Sequence, residues 1–121
     1  MIRGWFWAAL AAVSLLLSAP ALAADCSGTI TTGGTAQTVF TSSNVKKLMI
    51  MNNSANLMCV AFNGSAATIA GTNCGSGSWV LQPGSGTAAG GSFFTDSNGP
   101  AISTVSIISA STGDRFSCER Q

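Results

Sequence analysis

Short apolar runs, cut every few positions by Gly, Asn, Ser or Pro, extend along the chain from about residue 28 to its end. After residue 24 no segment has the three-to-four-residue apolar spacing of an amphipathic helix, whereas Val, Ile, Phe and Thr recur throughout. This rhythm predicts an all-β domain: a small antiparallel β-sandwich, jelly-roll-like, with about 7–9 short strands. The predicted strands are Gly28–Thr32, Ala36–Thr41, Val45–Met51, Leu57–Phe62, Ala67–Ile69, Ser78–Leu81, Ser92–Thr95, Thr104–Ser109 and Arg115–Glu119.

Two pairs of these strands look like local hairpins. Thr104–Ser109 and Arg115–Glu119 flank the turn sequence Ala110–Gly113, in which a glycine can adopt positive φ. Val45–Met51 and Leu57–Phe62 flank a short polar segment rich in asparagine and serine. The sequence therefore predicts hairpins at both places.

The apolar runs of the second hairpin do not alternate with polar residues, so both faces need a cover. A four-residue loop sets Met51 opposite Met58 and Ile50 opposite Cys59. One face then turns towards the core, and the other, rich in adaptable methionine, is a candidate interface that either the Pro83–Ser92 tract or another subunit covers. The candidate interface residues are Met49, Met51, Met58 and Val60.

The first residues predict export. Arg3 precedes an uncharged apolar stretch that ends in Pro20 and the small-residue sequence Ala21-Leu22-Ala23, a pattern that signal peptidase accepts. We therefore expect residues 1–23 to be a signal peptide and residues 24–121 to be one exported domain, periplasmic or extracellular. An uncleaved membrane anchor is the alternative, because the uncharged stretch is long enough to cross a bilayer. After cleavage no stable membrane insertion is expected.

All four cysteines lie in the predicted exported part, and an even count in a small exported domain indicates two disulfides. Cys26 shares strand parity with Ile30, and Cys118 with Phe116, so both cysteines are predicted to point inwards from the first and last strands. This pattern favours the pairing Cys26–Cys118 and leaves Cys59–Cys74. No C-x-x-C pair and no histidine are present, so zinc, any other metal and any cofactor are not expected.

Charge and residue usage argue against several functions. The full chain carries a formal net charge of +1, and Arg3 supplies the excess, so the predicted domain is neutral and has no basic stripe for nucleic acid. Without histidine no Ser-His or Cys-His nucleophile pair can form. The remaining carboxylates, such as Asp96 and Asp114, stand in turn sequences, where solvated side chains are ordinary. We therefore expect no enzyme and no catalytic residue.

Four segments resemble small β-domains of tailed phages and prophages: Gly33–Phe40, Ile50–Ala66, Trp79–Gly86 and Val105–Cys118. Their order is a Gly-Gly-Thr-Ala-Gln opening, an Asn-rich turn, a Phe-Asn-Gly turn, a Leu-x-Pro-Gly turn and a Thr-Gly-x-x-Phe ending. The resemblance spans most of residues 33–118. It implies a virion-associated accessory domain, such as a decoration or fibre-attachment module, and it brings no catalytic residues.

The sequence thus predicts an exported structural or interaction domain that contacts a protein partner or further copies of itself. One alternative is a binding protein for a glycan or small polar ligand, with contacts from Ser76–Trp79 and Gly84–Phe94. Trp79 would then be the stacking platform, although a tryptophan beside a strand is more often part of the core. Another alternative is a minor pilus or adhesin subunit completed by a partner's strand.

Overall fold

The computed structural model describes residues 23–85, 88, 90–95 and 102–121. The predicted signal peptide, apart from Ala23, and the sequence Asp96–Pro100 lie outside the described residues. Within the described part there is no helix long and apolar enough to cross a membrane. The strands are β1 Ala24–Asp25, β2 Gly28–Thr29, β3 Gln37–Val45, β4 Leu48–Asn52, β5 Met58–Ala61, β6 Ile69–Ala70, β7 Asn73–Cys74, β8 Trp79–Leu81, β9 Ser92–Thr95, β10 Ile102–Ser109 and β11 Arg115–Arg120.

The larger strands form two facing antiparallel sheets. The first sheet has the order β1-β11-β4-β9, and β2 also pairs with β11. The second sheet has the order β3-β10-β5-β8. A separate small ribbon joins β6 to β7. The predicted antiparallel sandwich is thereby confirmed.

The pairings are nested, as in one long hairpin that has been rolled up. Strand β2 pairs with β11, β3 with β10, β4 with β9 and β5 with β8, while β6 and β7 form the tip. Rolling distributes these pairs alternately between the two sheets. This arrangement is that of a jelly roll, the form that the sequence predicted.

Both predicted hairpins are wrong, because each connects strands of different sheets. Strand β4 pairs with β11 and β9, whereas β5 pairs with β10 and β8. Strands β10 and β11 are likewise divided between the second and the first sheet. The short loops 53–57 and 110–114 therefore arch over the edge of the core instead of closing a hairpin.

The main core fills the space between the sheets. Strand β4 contributes Leu48 and Ile50 from the first sheet, and β10 contributes Val105 and Ile107 from the second, all four fully buried. Each such side chain contributes about 1.5–3 kcal/mol relative to an exposed one.

A second, smaller cluster lies on the other side of the second sheet. Cys59 and Ala61 of β5 meet Ala67 and Ile108 there, and Ile69 and Cys74 of the β6–β7 ribbon pack against them. Strand β5 is therefore buried on both faces, which explains why its sequence does not alternate.

Two disulfides tie the rolled chain, with the predicted pairing. Cys26–Cys118 joins the segment between β1 and β2 to β11, and Cys59–Cys74 joins β5 to β7. The described residues hold no free cysteine. The pairing could be predicted because side chains alternate between the two faces of a strand, which is a local property of the sequence.

Candidate functional site

The outer face of the first sheet exposes two large apolar side chains. Met49 on β4 is 45% exposed and Phe94 on β9 is 65% exposed. They are direct cross-strand partners, so they form one continuous apolar patch. We call the outward residues of β1, β2, β11, β4 and β9, together with Asn53 beside them, the Met49 face.

The register of the strands arranges this face in three rows. The first row crosses the sheet as Asp25, Glu119, Met49 and Phe94. The second row contains Ser117, Met51 and Ser92. The third contains Thr29, Arg115 and Asn53, whose backbone N–H donates to the Arg115 carbonyl at 2.9 Å.

The predicted methionine interface is split by the fold. Met49 lies outward and Met51 is half-buried, whereas Met58 and Val60 are fully buried in the main core. The reason is that β5 belongs to the second sheet, where these two side chains point between the layers. Met58 and Val60 are therefore core residues, and assigning them to an interface was wrong.

The Pro83–Ser92 tract does not cover this face in its described residues. Gly84 donates its N–H to the Ser54 carbonyl at 2.8 Å, and the Gly91 carbonyl accepts from the Asn52 N–H at 3.0 Å. The tract thus packs against the end of β4 and the loop that follows it. The described residues of the tract leave Met49 exposed.

Charges on the Met49 face are unevenly placed. Asp25 and Glu119 stand directly opposite each other on β1 and β11, an unfavourable pairing of like charges. Side-chain and backbone hydrogen bonds from Ser27 lower the pKa of Asp25 below its usual range. Arg115 lies at the opposite end of β11 on the same face.

Two shallow grooves run along this face. One, of about 340 Å³, is lined by side chains that include Asp25, Met49, Met51 and Ser117. The other, of about 230 Å³, lies next to it, shares Met49 and Glu119, and reaches Phe94. The face is therefore contoured as well as partly apolar.

An aromatic cluster lies where the two sheets open between their edge strands β8 and β9. The rings of Phe62 and Phe93 stack with centroids 4.2 Å apart, and Trp79 leans on Phe93 at 5.8 Å. Trp79 is 59% exposed, so it is not the core residue that a strand tryptophan more often is. Of the predicted contact segments, the structure brings Trp79 to Phe93 and places Gly84 beside Ser54 instead.

A partly buried polar network joins the loops at one end of the sandwich. The Asn56 amide donates to one oxygen of Asp114 at 2.9 Å, and the Ser109 hydroxyl donates to the other. Asp114 is thus buried, not solvated as its turn sequence suggested. The network ties the loop after β4 to the loop after β10.

Among the described residues no group of three or more potential ligands surrounds a metal position. Sequence reasoning included Phe94 only at the end of the candidate contact segment Gly84–Phe94 and did not single out its ring as exposed. The pattern Ser-Phe-Phe-Thr in β9 held the signal, because adjacent residues of a strand point to opposite faces and both rings cannot enter one core.

Comparisons of the chain with protein-family models, curated proteins and solved structures give no match.

Proposed function

We propose that this chain is an exported, non-enzymatic interaction domain that binds a protein through the Met49 face. The exposed cross-strand pair Met49–Phe94 carries the proposal. Methionine and phenylalanine on a contoured sheet surface are typical of contact residues, and methionine adapts to the shape of a partner.

Two observations support export. Both disulfides need an oxidising compartment to form and persist. The predicted signal peptide supplies the route to that compartment.

The resemblance to phage virion accessory domains is part of this proposal, as a domain of that kind used outside the cytoplasm. Jelly rolls occur in viral capsid proteins and also in lectins, so the fold is compatible with a structural role and with glycan binding. The choice between these two functions depends on the residues of the site, and Met49 and Phe94 favour a protein contact.

Photo-crosslinking tests the proposal. A photoreactive phenylalanine analogue is placed at Phe94 in the full chain, and the protein is irradiated in the cells that produce it. We expect a crosslinked protein adduct from Phe94 and none from the same analogue at Val80, a partly exposed residue of β8 in the second sheet. Absence of an adduct at Phe94, or equal adducts at both positions, contradicts the proposal.

Glycan binding at the aromatic edge is a second candidate, favoured by the exposure of Trp79 against the Phe62–Phe93 stack. An exposed indole ring is a surface on which a sugar ring can stack. Here Trp79→Ala should abolish binding to a glycan array at unchanged circular dichroism, with Phe94→Ala as the control. A wild-type protein that binds no glycan rules this candidate out.

The pilus or adhesin alternative has less support, because strands of this chain itself fill the inner positions of both sheets.

A further inference from the structure

The charged residues of the Met49 face are arranged so that the face complements itself. We infer that the protein bound there is a second copy of this chain, related by a two-fold axis. The inference rests on the proposed function and names its partner.

Strand β11 carries opposite charges near its two ends. Glu119 and Arg115 both point outward from this strand and are separated by four residues, about 13 Å in an extended strand. Ser117 lies midway between them. Opposite charges therefore stand at equal distances on either side of the second row.

A two-fold rotation brings these opposite charges together. A two-fold axis that lies in the interface, along the second row, reverses strand direction in the second copy while keeping β11 over β11. Arg115 of the second copy then lies over Glu119, beside Asp25, and the same contact occurs again on the other side of the axis. An interface of this kind is isologous, the commonest arrangement in soluble homo-oligomers.

The acidic pair on β1 and β11 adds to this placement of charge. Asp25 and Glu119 repel each other in the single chain, and the Ser27 N–H donates to the Asp25 carboxylate at 2.8 Å. Lys47 and Arg120 line the groove that reaches Glu119. Arg115 of the second copy adds a positive charge directly over Glu119.

Met51 lies in the second row, so the two copies of this side chain meet at the axis. The same rotation lays the first row of one copy over the third row of the other, so Met49 of each copy covers Asn53 of its mate and Phe94 lies beside that contact. Because basic and acidic residues of the predicted domain are equal in number, little long-range repulsion opposes the approach of two copies.

Sedimentation equilibrium of the purified exported domain, with both disulfides intact, tests the inference. We expect a monomer–dimer equilibrium in the wild type. The single reversals Arg115→Glu and Glu119→Arg should each raise the dimer dissociation constant more than tenfold, because like charges then face each other twice. The double variant that carries both reversals should dimerise again.

Lys46→Glu is the matched control, since it reverses an exposed charge outside the Met49 face and should leave the dimer unchanged. Circular dichroism verifies that every variant is folded. A wild type that stays monomeric at millimolar concentration overturns the inference, as does a dimer insensitive to the single reversals or a double variant that is not restored. A Phe94 adduct with a different protein overturns the inference as well, but leaves the proposed function standing.

Discussion

At the scale of single residues, Asn52 has the most demanding position in the molecule. Its side chain is fully buried at the end of β4, donates to the Asn56 and Leu81 carbonyls at 2.7 and 3.0 Å, and accepts from the Ser54 N–H at 2.9 Å. Two of these contacts are to loop 53–57 and the third is to β8, so this amide fixes the arch between β4 and β5 and attaches β8 to it.

We therefore expect Asn52→Ala to lower the free energy of unfolding by about 2–3 kcal/mol, because it leaves buried backbone groups without partners. Urea denaturation measures the loss. The control is Asn63→Ala, an exposed asparagine whose side chain only accepts from the nearby Ser65 N–H and whose loss should cost less than about 0.5 kcal/mol. Equal losses in the two variants would show that the buried amide does not hold the arch.

The same residue marks a limit of sequence reading. Asn52 belongs to a turn-like run of polar residues, which predicts a solvated loop. The sequence correctly predicts the polar segment, but burial of the amide depends on Leu81, which is distant along the chain.

At the scale of elements, polar loops decide that β4–β5 and β10–β11 are arches. The loop 53–57 and the loop 110–114 are joined by the Asn56–Asp114 hydrogen bond. The loop before β3 joins them, since the Gly34 N–H donates to the Ser109 carbonyl at 2.8 Å. Gly33 lies so close to Ala110 that a Cβ at this position would collide with its carbonyl oxygen. Each arch is thus held by loops from other parts of the chain.

The positions of most strands could be predicted from the sequence, whereas the pairing of the strands could not. Most of the predicted strands correspond to observed ones, because apolar alternation and turn residues act over a few positions. The pairs β1–β11 and β6–β7 each contain a two-residue strand that was not predicted, Ala24–Asp25 and Asn73–Cys74. Such short strands exist through their partners and have hardly any pattern of their own.

At the scale of the whole molecule, the two disulfides tie different parts of the nested hairpin. Cys26–Cys118 links residues 92 positions apart at its open end, and Cys59–Cys74 links residues 15 apart near its tip. In the chain-entropy account a disulfide restricts the unfolded chain more when its loop is longer.

Removing the long-range disulfide should therefore cost more. We expect Cys26→Ala with Cys118→Ala to lower the free energy of unfolding by about 4.5 kcal/mol, and Cys59→Ala with Cys74→Ala by about 3 kcal/mol. Denaturation midpoints of the two double variants, measured beside the wild type, give the order. A larger loss from the Cys59–Cys74 pair would mean that packing of the β6–β7 ribbon on β5 outweighs loop closure.

By itself the sequence determined what depends on near neighbours: the all-β class, most strand positions, the inward parity of Cys26 and Cys118 and hence the disulfide pairing. Export and the absence of an enzymatic role stay predictions from the same residues. Tertiary structure alone decided which strands share a sheet, and with it that Met58 and Val60 are core residues and that Phe94 lies beside Met49 on the surface. The physical reason is that a strand offers hydrogen-bonding edges to any partner, and only the simultaneous burial of both sheets selects among the pairings that local pattern allows.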